Sequence, residues 1–210
     1  MRIGVVADTH VGESLDALPD WVRIALDGSD LILHAGDLSD GSVIPDLEQI
    51  APVVAVRGDH DLADAPRLPS RAIVQVGGRR IGLIHGKRRA TDALVVVAHA
   101  AAGRRLRWDA GRGAAMARAF RRHHVDVVVF GHWHEAMVAT VDDVLVFSPG
   151  AVCPWGTLED GRAPRAGAGG VADRLVRRYR RQLGAEAMRP SVGRLTLDRT
   201  RVRAEVITRP

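Results

Sequence analysis

The feature that most constrains the fold of this 210-residue chain is a short apolar run followed by polar residues, a pairing that occurs five times. Each run has the length of a buried strand. The polar ends are Asp8-Thr9-His10, Gly36-Asp37, Gly58-Asp59-His60-Asp61, His85-Gly86 and Gly131-His132-Trp133-His134. Because ligands bind beyond the carboxyl ends of strands in open α/β sheets, we expect these five loops to converge on one point.

The segments around these ends predict strand–helix alternation early in the chain and hairpins later. The early elements are strands at 2–7, 31–35 and 52–57 and helices at 14–27 and 43–50. The later hairpins span 71–84 about Gly77-Gly78, 136–147 about Asp142-Asp143, and 193–207. Further elements are strands at 93–98 and 125–130, helices at about 112–123 and 171–187, and a loop at 161–170. This order predicts an α/β sandwich of two mixed sheets with helices outside.

The composition is that of an ordinary globular protein, with 46% hydrophobic and 26% charged residues. No window approaches the ~20 apolar residues that span a bilayer. The apolar run at 3–7 is too short for a signal-peptide core. The single cysteine, Cys153, excludes an internal disulfide and fits a reducing compartment. We therefore expect one cytoplasmic domain over 1–210 that does not associate with membranes.

Charge is distributed in blocks along the chain. Residues 1–86 and 125–160 each carry a net charge of −6, whereas 87–124 carry +8 and 161–210 carry +9. The acidic blocks contain the polar strand ends, so the basic blocks would draw an anionic substrate toward a cation site. A biased coding composition explains the pattern equally well, because only one of the 30 basic residues is lysine.

The residue types at the strand ends predict a metal site. Carboxylates and imidazoles suit Mn, Fe, Zn and similar ions. Alternate side chains of a strand share a face, so Asp8 and His10 can bind one ion, and His132 and His134 have the same spacing. The adjacent glycines would permit tight turns; they are Gly36, Gly58, Gly86 and Gly131.

Other histidines are expected to have different roles. His34 lies inside an apolar run and is expected to be structural, whereas His123 and His124 are expected to be solvated or capping at a helix end. His99 follows the predicted strand at 93–98 and remains an alternative ligand to His85.

Together these motifs resemble the calcineurin-like metallophosphoesterase superfamily, whose pattern runs D-x-H, G-D, G-N-H-[DE], H and G-H-x-H. The likeness is strongest to its small bacterial and archaeal phosphodiesterase branch, which includes the Vps29 subunit of retromer. That branch has an Asn-Pro-Gly-Ser turn, which Ser148-Pro149-Gly150-Ala151 resembles here. The resemblance covers 1–151 and 190–207.

The resemblance implies a four-layer α/β-β/α sandwich that holds two divalent ions, Mn²⁺ first, with Fe, Zn or Ni also suited. It implies that one ion is bound by Asp8, His10, Asp37 and His134. Asp37 would bridge to a second ion held by Asp59, His85 and His132. A hydroxide between the ions would attack phosphorus, and His60, oriented by Asp61, would contact the phosphate and protonate the leaving group.

The chain departs from the family pattern at four places. Asp59 replaces the usual asparagine and adds a negative charge. Trp133 stands where a small residue is common, and either stacks on an aromatic part of the substrate or packs internally. Lys87 stands where the branch often has a second histidine and could contact phosphate. Arg-rich insertions occupy about 88–110 and 155–189. The second contains a predicted basic helix, by default a packed surface helix with a solvated arginine face, which could also cap the site, form a dimer interface or bind nucleic acid.

The function implied is hydrolysis of a phosphate ester, with a diester preferred and a small or nucleotide-like substrate expected. Two alternatives stay open: a non-catalytic, Vps29-like protein-binding scaffold, and a nuclease acting on nucleic-acid ends. His60 favours an enzyme over the scaffold, because scaffold-like relatives tend to lose this histidine. The sequence leaves homo-oligomerisation open.

Overall fold

The computed structural model describes residues 1–61, 67–86, 109–153 and 189–210. The predictions for Lys87, His99, the strand at 93–98, the loop at 161–170 and the helix at 171–187 lie outside the described residues, as do most of both insertions. No helix in these described ranges is long and apolar enough to cross a membrane.

The first sheet joins the early strands to the last hairpin. Its strands are β1 (Arg2–Val6), β2 (Leu31–His34), β3 (Val53–Ala55), β9 (Ser191–Leu197) and β10 (Val202–Thr208), in the order β10-β9-β1-β2-β3. β1, β2 and β3 run parallel, whereas β9 is antiparallel to β1 and to β10. The carboxyl ends of three parallel strands therefore meet at one edge.

The second sheet contains the two middle hairpins. Its strands are β4 (Arg71–Val76), β5 (Arg79–Ile84), β6 (Val127–Phe130), β7 (Ala136–Val141) and β8 (Val144–Pro149), in the order β4-β5-β6-β8-β7. β5, β6 and β8 run parallel, and each outer strand is antiparallel to its neighbour. Both turns were predicted correctly: Gly77 and Gly78, like Asp142 and Asp143, have positive φ at both positions, as a type I′ hairpin turn requires.

The helices differ from the prediction at their ends. They are α1 (Asp20–Leu26), α2 (Val43–Glu48) and α3 (Asp109–Ala119), followed by a 3₁₀ turn at Arg121–His123. α1 was predicted from residue 14 but begins after Pro19, because a proline disfavours helical geometry at the residue before it, here Leu18. Residues 10–15 form a turn in which the N–H groups of Glu13, Ser14 and Leu15 donate to the carbonyl of His10.

Three apolar clusters hold the layers together. The first lies between the sheets and includes Ile3, Leu33, Leu83 and Phe147. The second packs the first sheet against α1 and α2, and the third packs the second sheet against α3. Each fully buried aliphatic or aromatic side chain stabilises the fold by about 1.5–3 kcal/mol relative to exposure. The layered sandwich of two mixed sheets is thus confirmed.

Candidate metal centre

The two sheets bring all five polar strand ends together. Asp8 and His10 follow β1, Asp37 follows β2, and Asp59 and His60 follow β3. His85 follows β5, and His132 and His134 follow β6. Contacts join the two sets across the layers; the backbone N–H of His132, for example, donates to both oxygens of Asp8, at 3.1 and 3.0 Å. The predicted convergence is therefore present in the structure.

One donor group consists of Asp8, His10, Asp37 and His134. The Nε2 atom of His134 lies 3.4 Å from Oδ1 of Asp8 and 3.4 Å from Nε2 of His10. The Nε2 atom of His10 lies 3.8 Å from Oδ2 of Asp37. One ligand atom from each of the four residues lies within 4.8 Å of the others, which is compact enough for a single cation.

A second donor group consists of Asp37, His85 and His132. The Nε2 atom of His85 lies 3.2 Å from Oδ2 of Asp37 and 3.2 Å from Nδ1 of His132. Asp59 stands at the edge of this group, with Oδ2 3.5 Å from Nδ1 of His132 and a side chain that is 45% exposed. Asp37 belongs to both groups, so one carboxylate joins them.

Hydrogen bonds from the surrounding protein select which ring nitrogens face the centre. Nδ1 of His85 donates to the carbonyl of Ala35 at 2.7 Å, and Nδ1 of His10 donates to Oε2 of Glu13 at 3.1 Å. Each bond leaves Nε2 directed at Asp37, which is how outer partners orient histidine ligands. Clustered imidazole nitrogens and carboxylate oxygens suit Mn, Fe, Zn and Ni, so these residues fit divalent metal ions.

Five of the donor residues adopt left-handed backbone conformations, which the sequence did not predict. The φ angles are 53° for Asp8, 49° for His10, 58° for Asp37, 74° for His132 and 56° for His134. Such conformations cost about 1–2 kcal/mol per non-glycine residue and persist where the surroundings enforce them. Strain concentrated on the donors is typical of a functional site.

The four neighbouring glycines serve two different purposes. Gly36 and Gly86 have φ of 93° and 97° and make the tight turns that were predicted. Gly58 instead permits close approach, because a Cβ there would collide with the backbone nitrogen and carboxylate of Asp37. A Cβ at Gly131 would lie 2.9 Å from Oδ2 of Asp8. The two loops can press against the donors only because these positions lack side chains.

Asp61 does not orient His60, so that prediction was wrong. Its Oδ1 accepts from the backbone N–H groups of Leu38 and Ser39 at 2.7 and 2.9 Å. Its Oδ2 accepts from those of Gly58 and Asp37 at 2.6 and 3.2 Å. Four backbone donors occupy this carboxylate, which therefore clamps the loop after β3 to the loop after β2.

Glu13 takes the place predicted for Asp61. Nδ1 of His60 lies 3.0 and 3.1 Å from the two carboxylate oxygens of Glu13. Glu13 was not predicted from the sequence; the available signal was an acidic residue three positions after His10, in a turn that contains Gly12. That turn places it beside both histidines.

His34 has the structural role that was predicted. Its buried ring accepts from the N–H of Gly36 at Nδ1 (3.1 Å) and donates from Nε2 to Oγ1 of Thr9 (3.2 Å). Thr9 in turn donates to the carbonyl of Asp37 at 3.3 Å. Burial lowers the pKa of His34 to about 4, so the ring is neutral and ties the first two donor loops together.

Trp133 lies mostly inside the protein. It is 5% exposed and belongs to the apolar cluster under α3, with its ring centroid 5.7 Å from that of Phe130. A Cβ on Gly86 would lie 2.6 Å from the indole, so this glycine lets the ring pack on the turn after β5. This burial favours packing over substrate stacking.

Asp8, Asp37 and His85 form a charged network. Burial works against the charge on His85, but the hydrogen bond to Asp37 and the charge of Asp8 raise its pKa to about 9. Burial likewise opposes ionisation of Asp8 and Asp37, yet nearby histidines hold the pKa of both carboxyls below the usual range. A cation that binds here must therefore displace a proton from His85.

Comparisons with known proteins agree with the geometry. Residues 1–163 match the sequence model of the calcineurin-like phosphoesterase superfamily domain. A probable metallophosphoesterase of Methanothermobacter thermautotrophicus is 30% identical over 154 residues, 72% of this chain and 77% of that protein. A phosphodiesterase of Methanocaldococcus jannaschii is 24% identical over 171 residues, 73% of this chain and 85% of that protein. The structure of zinc-complexed Vps29 from Entamoeba histolytica shares the fold, with a TM-score of 0.62 and 20% identity over 99% of both chains.

Proposed function

Because this chain belongs to the calcineurin-like phosphoesterase superfamily, we propose that it is a two-metal hydrolase of phosphodiesters. The observation that carries the proposal is the position of Asp37. Its carboxylate is shared by a donor group with Asp8, His10 and His134 and a donor group with His85 and His132. A carboxylate between two such groups suits a pair of ions rather than one.

Each donor group would hold one ion, with Asp59 contributing to the group of His85 and His132. Two bound divalent ions would lower the pKa of a bound water and stabilise charge on the phosphoryl oxygens. Mn²⁺ is the first candidate, and Fe, Zn and Ni suit the same ligands. The surrounding protein holds five of the donors in strained backbone conformations, so we expect little reorganisation when ions bind.

His60 is the residue of this chain placed to act on the substrate. Its backbone N–H donates to Oδ1 of Asp37 at 2.8 Å, which ties it to the shared carboxylate. Its side chain is 51% exposed, and its ring centroid lies 4.9 Å from that of His10. We assign to His60 contact with the phosphate and proton donation to the leaving oxygen.

The charge of the centre supports a diester substrate. Asp59 adds a third carboxylate to those of Asp8 and Asp37, so two divalent ions there would leave a smaller net positive charge and attract an anionic substrate less strongly. A phosphate monoester carries a charge of about −1.5 to −2 at pH 7 and depends more on that attraction than a diester, which carries a single negative charge. The similarity to an archaeal phosphodiesterase supports the same choice. We also propose that Lys87 contacts phosphate and that 88–110 and 155–189 are insertions in one cytoplasmic domain.

The test compares hydrolysis of bis(p-nitrophenyl) phosphate with that of p-nitrophenyl phosphate, in chelator and with Mn²⁺, Fe²⁺, Zn²⁺ or Ni²⁺. We expect metal-dependent turnover, a preference for the diester, and about two ions per chain by mass spectrometry. Asp37→Ala should lower metal content and abolish turnover, whereas His60→Ala should lower kcat by about 10²–10⁴-fold, to a residual rate that can still be measured, with metal content retained. Glu205→Gln, on the exposed face of β10, is the control.

Three results would contradict parts of this proposal. Tight metal binding without hydrolysis under any of the four metals would favour a protein-binding scaffold. Unchanged activity in His60→Ala would remove its assigned role. A steep fall of binding with salt on single-stranded DNA would favour a nuclease, because phosphate contacts release counterions.

A further inference from the structure

The carboxylate of Glu13 connects a donor residue to His60. It accepts from Nδ1 of His60 at 3.0 Å, from Nδ1 of His10 at 3.1 Å and from Oγ of Ser39 at 3.1 Å. Its side chain is 40% exposed, and His60 is 47 residues away in sequence. Three donors from three different loops therefore meet on one carboxylate.

Backbone hydrogen bonds hold the turn that carries Glu13. The N–H of Glu13 donates to the carbonyl of His10 at 3.3 Å, and the N–H of Gly12 donates to that of Leu15 at 2.7 Å. Gly12 has a φ of 81°, a conformation that side-chain-bearing residues rarely adopt. The turn thus presents Glu13 as an acceptor to the more exposed His60.

We infer that Glu13 is the positioning residue of His60 in the reaction proposed above. By accepting from Nδ1, it keeps that nitrogen protonated, so the imidazolium form of His60 gives the leaving oxygen the proton on Nε2 and is left as the neutral Nδ1–H ring. A carboxylate that sets the tautomer and direction of a catalytic imidazole acts through the histidine and does not touch the substrate. The inference rests on the proposed function, because His60 must act on the substrate for its orientation to matter.

Activity measurements separate this role from a merely structural one. Glu13→Gln retains shape but has one acceptor oxygen for three donors, so at saturating metal we expect kcat to fall by about 10–100-fold with KM changed less than about twofold. The loss should be larger for a diester with a poor leaving group, such as phenol, than for one with p-nitrophenol. In a His60→Ala background the same substitution should change kcat by less than about twofold, since the two residues act as a unit.

The matched control is Glu48→Gln at the exposed end of α2, which should retain full activity. Equal losses from Glu13→Gln with and without His60 would overturn the inference. The inference would also be overturned if the loss of kcat in Glu13→Gln varied with the bound metal content and not with the leaving group of the substrate.

A second measurement does not depend on activity. Long-range ¹H–¹⁵N spectra of the metal-free protein report which nitrogen of each histidine carries the proton, and His60 is assigned by its absence in His60→Ala. We expect an Nδ1–H ring in the wild type and a shift toward Nε2–H in Glu13→Gln. If the wild type hydrolyses no ester, the proposed function fails, yet this spectrum still decides whether Glu13 holds His60; an Nε2–H ring in the wild type overturns the inference.

Discussion

Replacing Asp61 by asparagine should loosen two donor loops at once. The carboxylate accepts four backbone N–H bonds, two at each oxygen. The asparagine amide keeps one acceptor oxygen, but its NH₂ group faces the other two backbone N–H groups and cannot accept from them. Hydrogen bonds to a charged group contribute about 1.5–3 kcal/mol each. Two lost bonds, discounted because Asp61 is only partly buried, predict a loss of about 2–4 kcal/mol in the free energy of unfolding.

Urea unfolding in chelator measures this change, with the unfolding midpoint and slope recorded for Asp61→Asn and for the wild type. Asp46→Asn is the control: it breaks a partly exposed ion pair with Arg23 (3.3 Å) and should cost at most about 1 kcal/mol. Asp61→Asn should also weaken metal binding, because Asp61 accepts from the N–H of Asp37 and helps to hold that residue in its left-handed conformation. A variant with wild-type stability and metal affinity but a lower kcat would refute the clamp and restore the role of orienting His60.

Two further perturbations test the site. Trp133→Phe should lower the free energy of unfolding by about 1–2 kcal/mol through lost packing against Phe130. It should leave the KM of the wild type unchanged for diesters with and without a nucleobase. A KM increase confined to the nucleobase diester would instead support stacking. In chelator, the protein should lose stability at high pH, because the pKa of His85 is raised to about 9 from 6.5. The contribution of protonated His85 to the free energy of unfolding is complete below pH 6.5 and disappears as the pH rises through about 9. Urea midpoints in chelator between pH 6 and 10 measure this loss, and a flat profile over that range would contradict it.

Much of the fold follows from local sequence patterns. Apolar runs with a strand's length placed β1, β2 and β6 to within two residues, and Gly77-Gly78 and Asp142-Asp143 marked the hairpin turns. Helix ends were less accurate: periodicity alone extended α1 back to residue 14, whereas Pro19 sets its start. Local pattern therefore determines which elements form, and single residues such as proline decide where they begin.

The sequence by itself predicted that the strand-end motifs gather at the candidate metal centre, because strand direction carries each of them to one edge of its sheet. Only the tertiary structure decided how these residues are held. Asp61 accepts hydrogen bonds from the backbone N–H groups of two loops, and Glu13 contacts His60, which is 47 residues away in sequence. Both contacts join segments that are distant in the chain, so residue spacing does not predict them. The left-handed φ of five donors was likewise not predicted: aspartate and histidine adopt this conformation more readily than most residues, but the sequence does not indicate which of them do so.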